Sequence, residues 1–243
     1  MKGVSFSCEV PIMKKVATFH SPLGSKFGTP RQAGVVKELT GRIVFEKEYR
    51  SPDAVRGMEA FDYLWLIWGF SHNKDVEERL TVRPPRLGGN KRVGVFASRS
   101  PYRPNALGLS SVLIERIDYD CPDAPVVYVK GADLTDGTPI YDVKPYIAYT
   151  DAHPDARGGF TDTAEWQRLE VQISEEAERQ LALPEFEALR SDFHICKKLL
   201  AEDPRPHYHS SSQRIYTMQY ASFDISFRVE DSVLTVVKIT TLF

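Results

Sequence analysis

Seven cationic side chains lie between Arg79 and Arg103: Arg79, Arg83, Arg86, Lys91, Arg92, Arg99 and Arg103, with no Asp or Glu among them. The whole chain has 31 Lys+Arg against 33 Asp+Glu, so removing those seven leaves 24 against 33 elsewhere. Positive charge is therefore concentrated in one stretch rather than spread for solubility. Pro84, Pro85, Pro101 and Pro104 fix φ there and bias their predecessors to extended backbone. Gly88, Gly89, Gly94 and Gly108 permit tight turns and close approach of a ligand to the main chain. Fixed arginines beside open backbone suit an anionic ligand rich in hydrogen-bonding groups. The plain alternative is a solvated basic loop, and the Pro/Gly framing and the lack of acids weigh against it.

Four shorter clusters offer complementary chemistry. Pro30-Arg31-Gln32 pairs an arginine able to grip a carboxylate with a glutamine able to read a base edge. Ser71-His72-Asn73 places polar groups where an aromatic run ends. Asp133-Leu134-Thr135-Asp136-Gly137 presents two carboxylates suited to ribose hydroxyls, although Asp and Gly also serve any turn. Asp203-Pro204-Arg205-Pro206-His207-Tyr208 offers phosphate contact and base stacking from a stiffened loop. No GxGxxG, GxxxxGK[ST] or HExxH motif occurs, so Rossmann, P-loop and zincin chemistry have no support. His207 and His209 alone make a weak metal site. Ser98, Ser100, Ser110 and Ser111 lie in no nucleophile elbow.

These clusters need a scaffold, and the patterning predicts one. Strands are expected at Lys15–Thr18, Arg42–Phe45, Tyr63–Phe70, Val93–Ala97, Leu107–Asp118 and Val126–Val129, with a helical turn over Asp53–Met58. The stretch from Ser21 to Gly34 reads as a long loop, and so does Gly131–Pro139. Short strands with Pro/Gly loops and no long helix before residue 150 indicate a mainly β, barrel-like or sandwich domain over residues 14–150. Tyr149–Thr163 reads as a polar linker. A small α+β domain is then expected over 164–243. It has a strand at Leu169–Ile173, a helix capped by Ser174, a second helix over Pro184–Ala201, and strands Tyr216–Tyr220, Ile225–Val229 and Leu234–Thr240.

The bulk numbers agree with this scale. The chain has 243 residues, 42% hydrophobic and 26% charged, ordinary for a soluble globular protein with a real core. Cys8, Cys121 and Cys196 form neither a disulfide framework nor a zinc spacing, which fits a reducing cytoplasm. The Phe61–Phe70 run is too short to span a bilayer, and the first residues lack a signal-peptide core. Near-neutral net charge disfavours a duplex-coating protein but leaves room for an RNA enzyme with one basic face.

The motifs together resemble the TsaA-like family and, within it, the bacterial TrmO-type tRNA methyltransferases. The resemblance rests on PRQ at 30–32, DAVRGMEAFDYLW at 53–65, RPPRLGGN at 83–90, GVFASRSPYRPNALGLS at 94–110, DLTDGTPIYDVKPY at 133–146 and DPRPHY at 203–208. Asn73 departs from it, because Gln is often found there. The resemblance implies a non-Rossmann, β-barrel-like methyltransferase domain and a homodimer. It implies S-adenosylmethionine as methyl donor and threonylcarbamoyladenosine of tRNA, beside the anticodon, as acceptor at N6. By motif, cofactor contacts would be Pro30, Arg31, Gln32, His72, Asn73, Arg99, Leu107, Asp133, Leu134, Thr135 and Asp136. Arg86, Arg92 and Arg103 would hold RNA phosphates or the threonyl carboxylate, with Arg205 and Tyr208 placing the base. No general base is assigned. A methyltransferase of a small-molecule acceptor and a non-catalytic RNA-binding or cofactor-sensing module are the competing readings.

Overall fold

The computed structural model describes residues 13–71, 80–84, 87, 91–163, 167–205 and 214–242. The first half is built on six strands: β1 (Ala17–His20), β2 (Thr40–Phe45), β3 (Tyr63–Gly69), β6 (Leu107–Asp118), β7 (Val126–Lys130) and β8 (Thr138–Pro145). Two short strands, β4 (Thr81–Val82) and β5 (Val93–Gly94), form a separate pair. The six pair antiparallel in the order β1-β2-β7-β6-β3-β8. β8 then returns to β1 through Thr138 opposite Phe19 and Ile140 opposite Ala17, so the order closes on itself.

The alternation of side chains explains the sheet's two faces. In β3 Leu64, Leu66 and Trp68 are buried while Tyr63, Trp65 and Ile67 face outward, the period-two pattern of a strand with one face on a core. Ala17, Phe19, Ile43, Val112, Val127, Val129 and Ile140 complete that interior.

Sequence patterning misplaces three pieces. Val93–Ala97 is not one strand: it pairs only to Gly94 and then turns through a 3-10 segment at Val95–Ala97. Thr138–Pro145 is a strand although Thr138 and Pro139 read as the end of a loop and the rest gives no strand signal, because Pro139 and interspersed polar residues hide the alternation that pairing with β1 and β3 imposes. The stretch read as a linker contains a short helix, α1 (Ala148–Asp151), whose Asp151 accepts from Trp65 Nε1 at 2.8 Å.

The second half is α+β. β9 (Glu170–Ile173), β10 (Tyr216–Tyr220), β11 (Phe223–Glu230) and β12 (Val233–Thr241) form a sheet in the order β10-β11-β12-β9, with β9 parallel to β12. α2 (Glu175–Ala182) starts at Ser174, whose hydroxyl accepts from Ala177 N at 3.2 Å, and Glu175, Glu176 and Glu178 favour its positive end. α3 (Glu187–Ala201) lays Leu189, Phe193, Cys196, Leu199 and Leu200 on this sheet.

The loop between β1 and β2 belongs to both halves. Its Leu23, Val36 and Leu39, all at most 2% exposed, enter the core of the α+β half. Ala221 N donates to Pro22 O at 2.6 Å, and Lys198 pairs with Glu38 at 2.5 Å. Gly28 adopts φ +92°, and a Cβ there would lie 2.5 Å from Met218 of β10. Only glycine allows that approach.

Candidate functional site

The loop that carries Pro30, Arg31 and Gln32 is anchored at both ends by these contacts, so its polar residues are held over the end of the β-sheet. Gln32 Oε1 accepts from Arg99 Nη1 at 2.6 Å, and Gln32 Nε2 donates to Arg31 O at 2.5 Å. Two motifs 67 residues apart in sequence thus meet side chain to side chain. Arg99 itself is exposed at the edge of the basic stretch. Leu107 opens β6 opposite Gly69 at the end of β3.

Asp133 follows β7 and reaches the same place from below. Its Oδ1 accepts from Ser110 Oγ at 2.5 Å. Burial pushes its carboxyl up from the ordinary aspartate value, while the Ser110 hydroxyl, the backbone N–H groups of Asp133 and Ala33, and the Arg99 charge pull the other way. Ala33 adjoins Gln32, so the PRQ loop, the basic stretch and the DLTD turn converge on one carboxylate. Leu134 and Thr135 are buried, and Thr138 Oγ1 donates to Thr135 O at 2.8 Å, which locks the turn.

Asp136 does not join that cluster. It accepts from Ser21 N and shares a 3.1 Å contact with His20 Nδ1, lining a depression of about 410 Å³ with Thr40, Arg42 and Tyr128. That depression is larger than the cleft beside Arg31, yet it contains neither Arg99 nor Asp133, and volume alone does not locate the chemistry.

A second cleft, of about 130 Å³, lies between the PRQ loop and the end of α3, where Lys26, Thr29 and Arg31 face Glu202, Asp203 and Pro204. Arg31 Nη2 donates to Asp203 O at 3.3 Å, and Asp203 adopts φ +50°. Arg205 is engaged by its own loop, Nε and Nη2 binding the Asp203 carboxylate at 2.8 and 2.9 Å. Arg103 likewise braces its neighbours, donating to Ser98 O at 2.8 Å and Val95 O at 3.3 Å and lying over the Phe96 ring. Arg92 reaches Thr81 Oγ1 at 3.1 Å on the exposed β4–β5 pair. His72, Asn73, Arg86 and Tyr208, with His207 and His209, lie outside the described residues.

Three participants carry no sequence signal as site residues. Ser110 and Trp68 read only as strand positions, and Ala33 contributes backbone alone. The Gly-Leu-Ser run at 108–110, inside the basic stretch's motif, is the one pointer toward Ser110. Among the described residues no group of three His, Cys, Asp or Glu could hold a metal ion, and no helix is long and apolar enough to cross a membrane.

The donor set fits an S-adenosylmethionine-like ligand. A half-buried carboxylate pulls toward hydroxyl or ammonium groups, an exposed arginine–glutamine pair toward a carboxylate or a base edge, and the Gly/Pro backbone toward polar ring edges. An antiparallel β-sheet thus gathers three motifs at one end and is joined through its first loop to an α+β half. Residues 18–152 match the model described as the tRNA-methyltransferase O N-terminal domain, and 166–242 match the TrmO C-terminal domain. The chain belongs to the tRNA-methyltransferase O family. It is 37% identical over 222 residues to tRNA (adenine(37)-N6)-methyltransferase of Escherichia coli K12, covering 90% of this chain and 93% of that one. It is 39% identical over 171 residues to the protein of the same name from Eikenella corrodens, covering 70% and 92%. A crystal structure of TrmO from Pseudomonas aeruginosa superposes with TM-score 0.77 at 26% identity, covering 95% of this chain and 98% of that one.

Proposed function

We propose that the protein transfers a methyl group from S-adenosylmethionine to N6 of threonylcarbamoyl-modified adenosine beside the anticodon of tRNA. As a member of the tRNA-methyltransferase O family it is a tRNA methyltransferase. The observation that carries the finer reading is the convergence of Gln32, Arg99 and Asp133 at one end of the sheet, beside an acid-free basic stretch. The cofactor supplies an electrophilic methyl on a sulfonium. This chain's residues bind and orient: Asp133 accepts from a hydroxyl or ammonium group, and Arg99 and Arg31 meet a carboxylate. Pro30, Leu107, Leu134 and Thr135 shape the walls, and His72 and Asn73 complete the proposed contact set; Asp136, turned to the depression beside His20, lies outside it. Placement of donor and acceptor in line supplies most of the acceleration. The carbamoyl substituent makes the N6 proton more acidic than that of a plain exocyclic amine, so water or a modest base suffices to remove it.

Arg92 and Arg86 on the basic stretch, and the remaining N–H groups of Arg103, contact phosphates or the threonyl carboxylate, while Arg205 and Tyr208 help to place the base. The contact between Arg31 and the Asp203 loop favours tRNA over a small acceptor, since it sets the α+β half against the proposed site. A homodimer is supported by the outer face of β3 and β6, where Ile67 sits opposite Leu109 (57% exposed) and Tyr63 (42% exposed) opposite Leu113. The test is methyl incorporation from labelled S-adenosylmethionine into tRNA with and without the threonylcarbamoyl group, followed by nucleoside mass spectrometry. N6-methyl threonylcarbamoyladenosine in the first tRNA and no product in the second is the expected result. Equal incorporation into both would overturn the acceptor assignment, and incorporation into neither would overturn the activity. Arg99→Ala is expected to raise KM for the cofactor roughly tenfold or more by removing a charged hydrogen-bond donor.

A further inference from the structure

One chain of hydrogen bonds around Asp133 is not explained by ligand contact. Trp68 on β3 turns its indole inward and donates from Nε1 to Ser110 Oγ at 2.9 Å. Ser110 on β6 donates in turn to Asp133 Oδ1 at 2.5 Å. Trp68 is 7% exposed and Ser110 1%, so both sit away from solvent. An indole N–H can only donate. It therefore occupies a lone pair of the serine oxygen and leaves the hydroxyl proton to point at the carboxylate. Gly108 makes room for this arrangement, since a Cβ there would stand 2.3 Å from Trp68 Cε2. This contact restrains Oδ1, alongside the backbone N–H groups of Asp133 and Ala33 that also act on the carboxylate.

We propose that Trp68 and Ser110 are positioning residues for the methyl-transfer site, holding the Asp133 carboxylate in place as an acceptor for the cofactor. This rests on the reading that Asp133 contacts the cofactor. Two separate strands supply this anchor, so the sheet restrains the carboxylate together with the backbone N–H groups of Asp133 and Ala33. Burial opposes the ionised state of Asp133, and the serine proton is among the groups that restore it; Arg99 is the charged side chain coupled to it. Removing the hydroxyl therefore raises the pH at which the carboxylate loses its proton.

The experiment compares Ser110→Ala, Trp68→Phe and Asp133→Asn with the wild-type chain. Equilibrium binding of S-adenosylmethionine is followed as a function of pH, and initial rates are taken on modified tRNA. Ser110→Ala is expected to weaken cofactor binding roughly tenfold at pH 7, as fits a hydrogen bond to a charged group. KM should rise in parallel while kcat at saturating cofactor stays near wild type. The acid limb of the binding profile should move to higher pH, a change that a merely structural defect would not produce. Trp68→Phe should shift both in the same direction by less. Wild-type affinity with an unmoved acid limb in Ser110→Ala would overturn the positioning role, as would a loss confined to kcat. If Asp133→Asn binds the cofactor as tightly as wild type, the cofactor assignment of Asp133 falls and this role falls with it. Weak binding by Asp133→Asn beside intact binding by Ser110→Ala overturns the positioning role alone. Should Ser110→Ala fail to fold, Trp68→Phe carries the same comparison, and an unchanged profile there overturns the proposal.

Discussion

A carboxylate placed among apolar strands costs stability that its partners only partly return. Burial raises the Asp133 carboxyl above its ordinary value near 3.8, against the opposing pull of Ser110, two backbone N–H groups and Arg99. The sign of the stability effect follows from linkage. The unfolded chain gives up this proton at lower pH than the folded chain, so stability falls as pH rises through the window between the two values and stays lower above it. Asp133→Asn is therefore expected to melt above wild type at pH 7, with the gap closing as pH falls toward the ordinary aspartate value, while cofactor affinity drops. Thermal melts at several pH values check the first half and calorimetric titration the second. A variant that is both less stable at pH 7 and tight-binding would contradict the account. Cys196 offers a contrast at the same scale. Burial pushes its thiol up strongly, so it should stay unmodified by iodoacetamide at pH 8 in the folded protein and react only on unfolding.

Among the elements, the pairing of β3 with β6 decides whether the site is built. Trp68 lies directly opposite Gly108, and the indole occupies the space a side chain would need. Gly108→Ala should force the ring aside, break the Trp68–Ser110 contact and cost about 1–3 kcal/mol, as overpacking in a dense interior does. Chemical denaturation measures the cost, and loss of cofactor affinity measures the displacement of Asp133. Much of this level is legible in sequence. Leu107–Asp118 reads as a strand at its observed limits because its apolar residues recur along one long run, and Ser174 announces α2 because a serine before three glutamates satisfies free N–H groups and the helix dipole together. Thr138–Pro145 is not legible, since its pattern makes sense only against neighbours on both sides. The pairing of Gln32 with Arg99 is equally hidden, because a contact over 67 residues leaves no local trace.

Across the whole molecule, the first loop ties the two cores. Leu23, Val36 and Leu39 bury in the α+β half, each contributing on the order of 1.5–3 kcal/mol. A chain ending at residue 163 would leave those three side chains without their floor. It is expected to bind S-adenosylmethionine at least tenfold more weakly and to melt at lower temperature than the full chain, and restored binding on adding the separate α+β half would support the same coupling. Full affinity in the shortened chain would show that the PRQ loop is held by the β-sheet alone.

The sequence by itself determined the composition of the site. The acid-free basic stretch, the PRQ and DLTD motifs and the absence of a glycine fingerprint are local facts, because residue type and nearest-neighbour spacing set charge, stiffness and hydrogen-bonding capacity. It also determined most strands and both longer helices of the second half, through periodicity and capping. Only the tertiary structure decided which carboxylate is drawn partly out of solvent, that Arg103 and Arg205 brace their own loops, and that Asp133 is gripped through Ser110 by a tryptophan on another strand. Those outcomes depend on burial and on the register of distant strands, and a chain acquires both only when its sheet assembles.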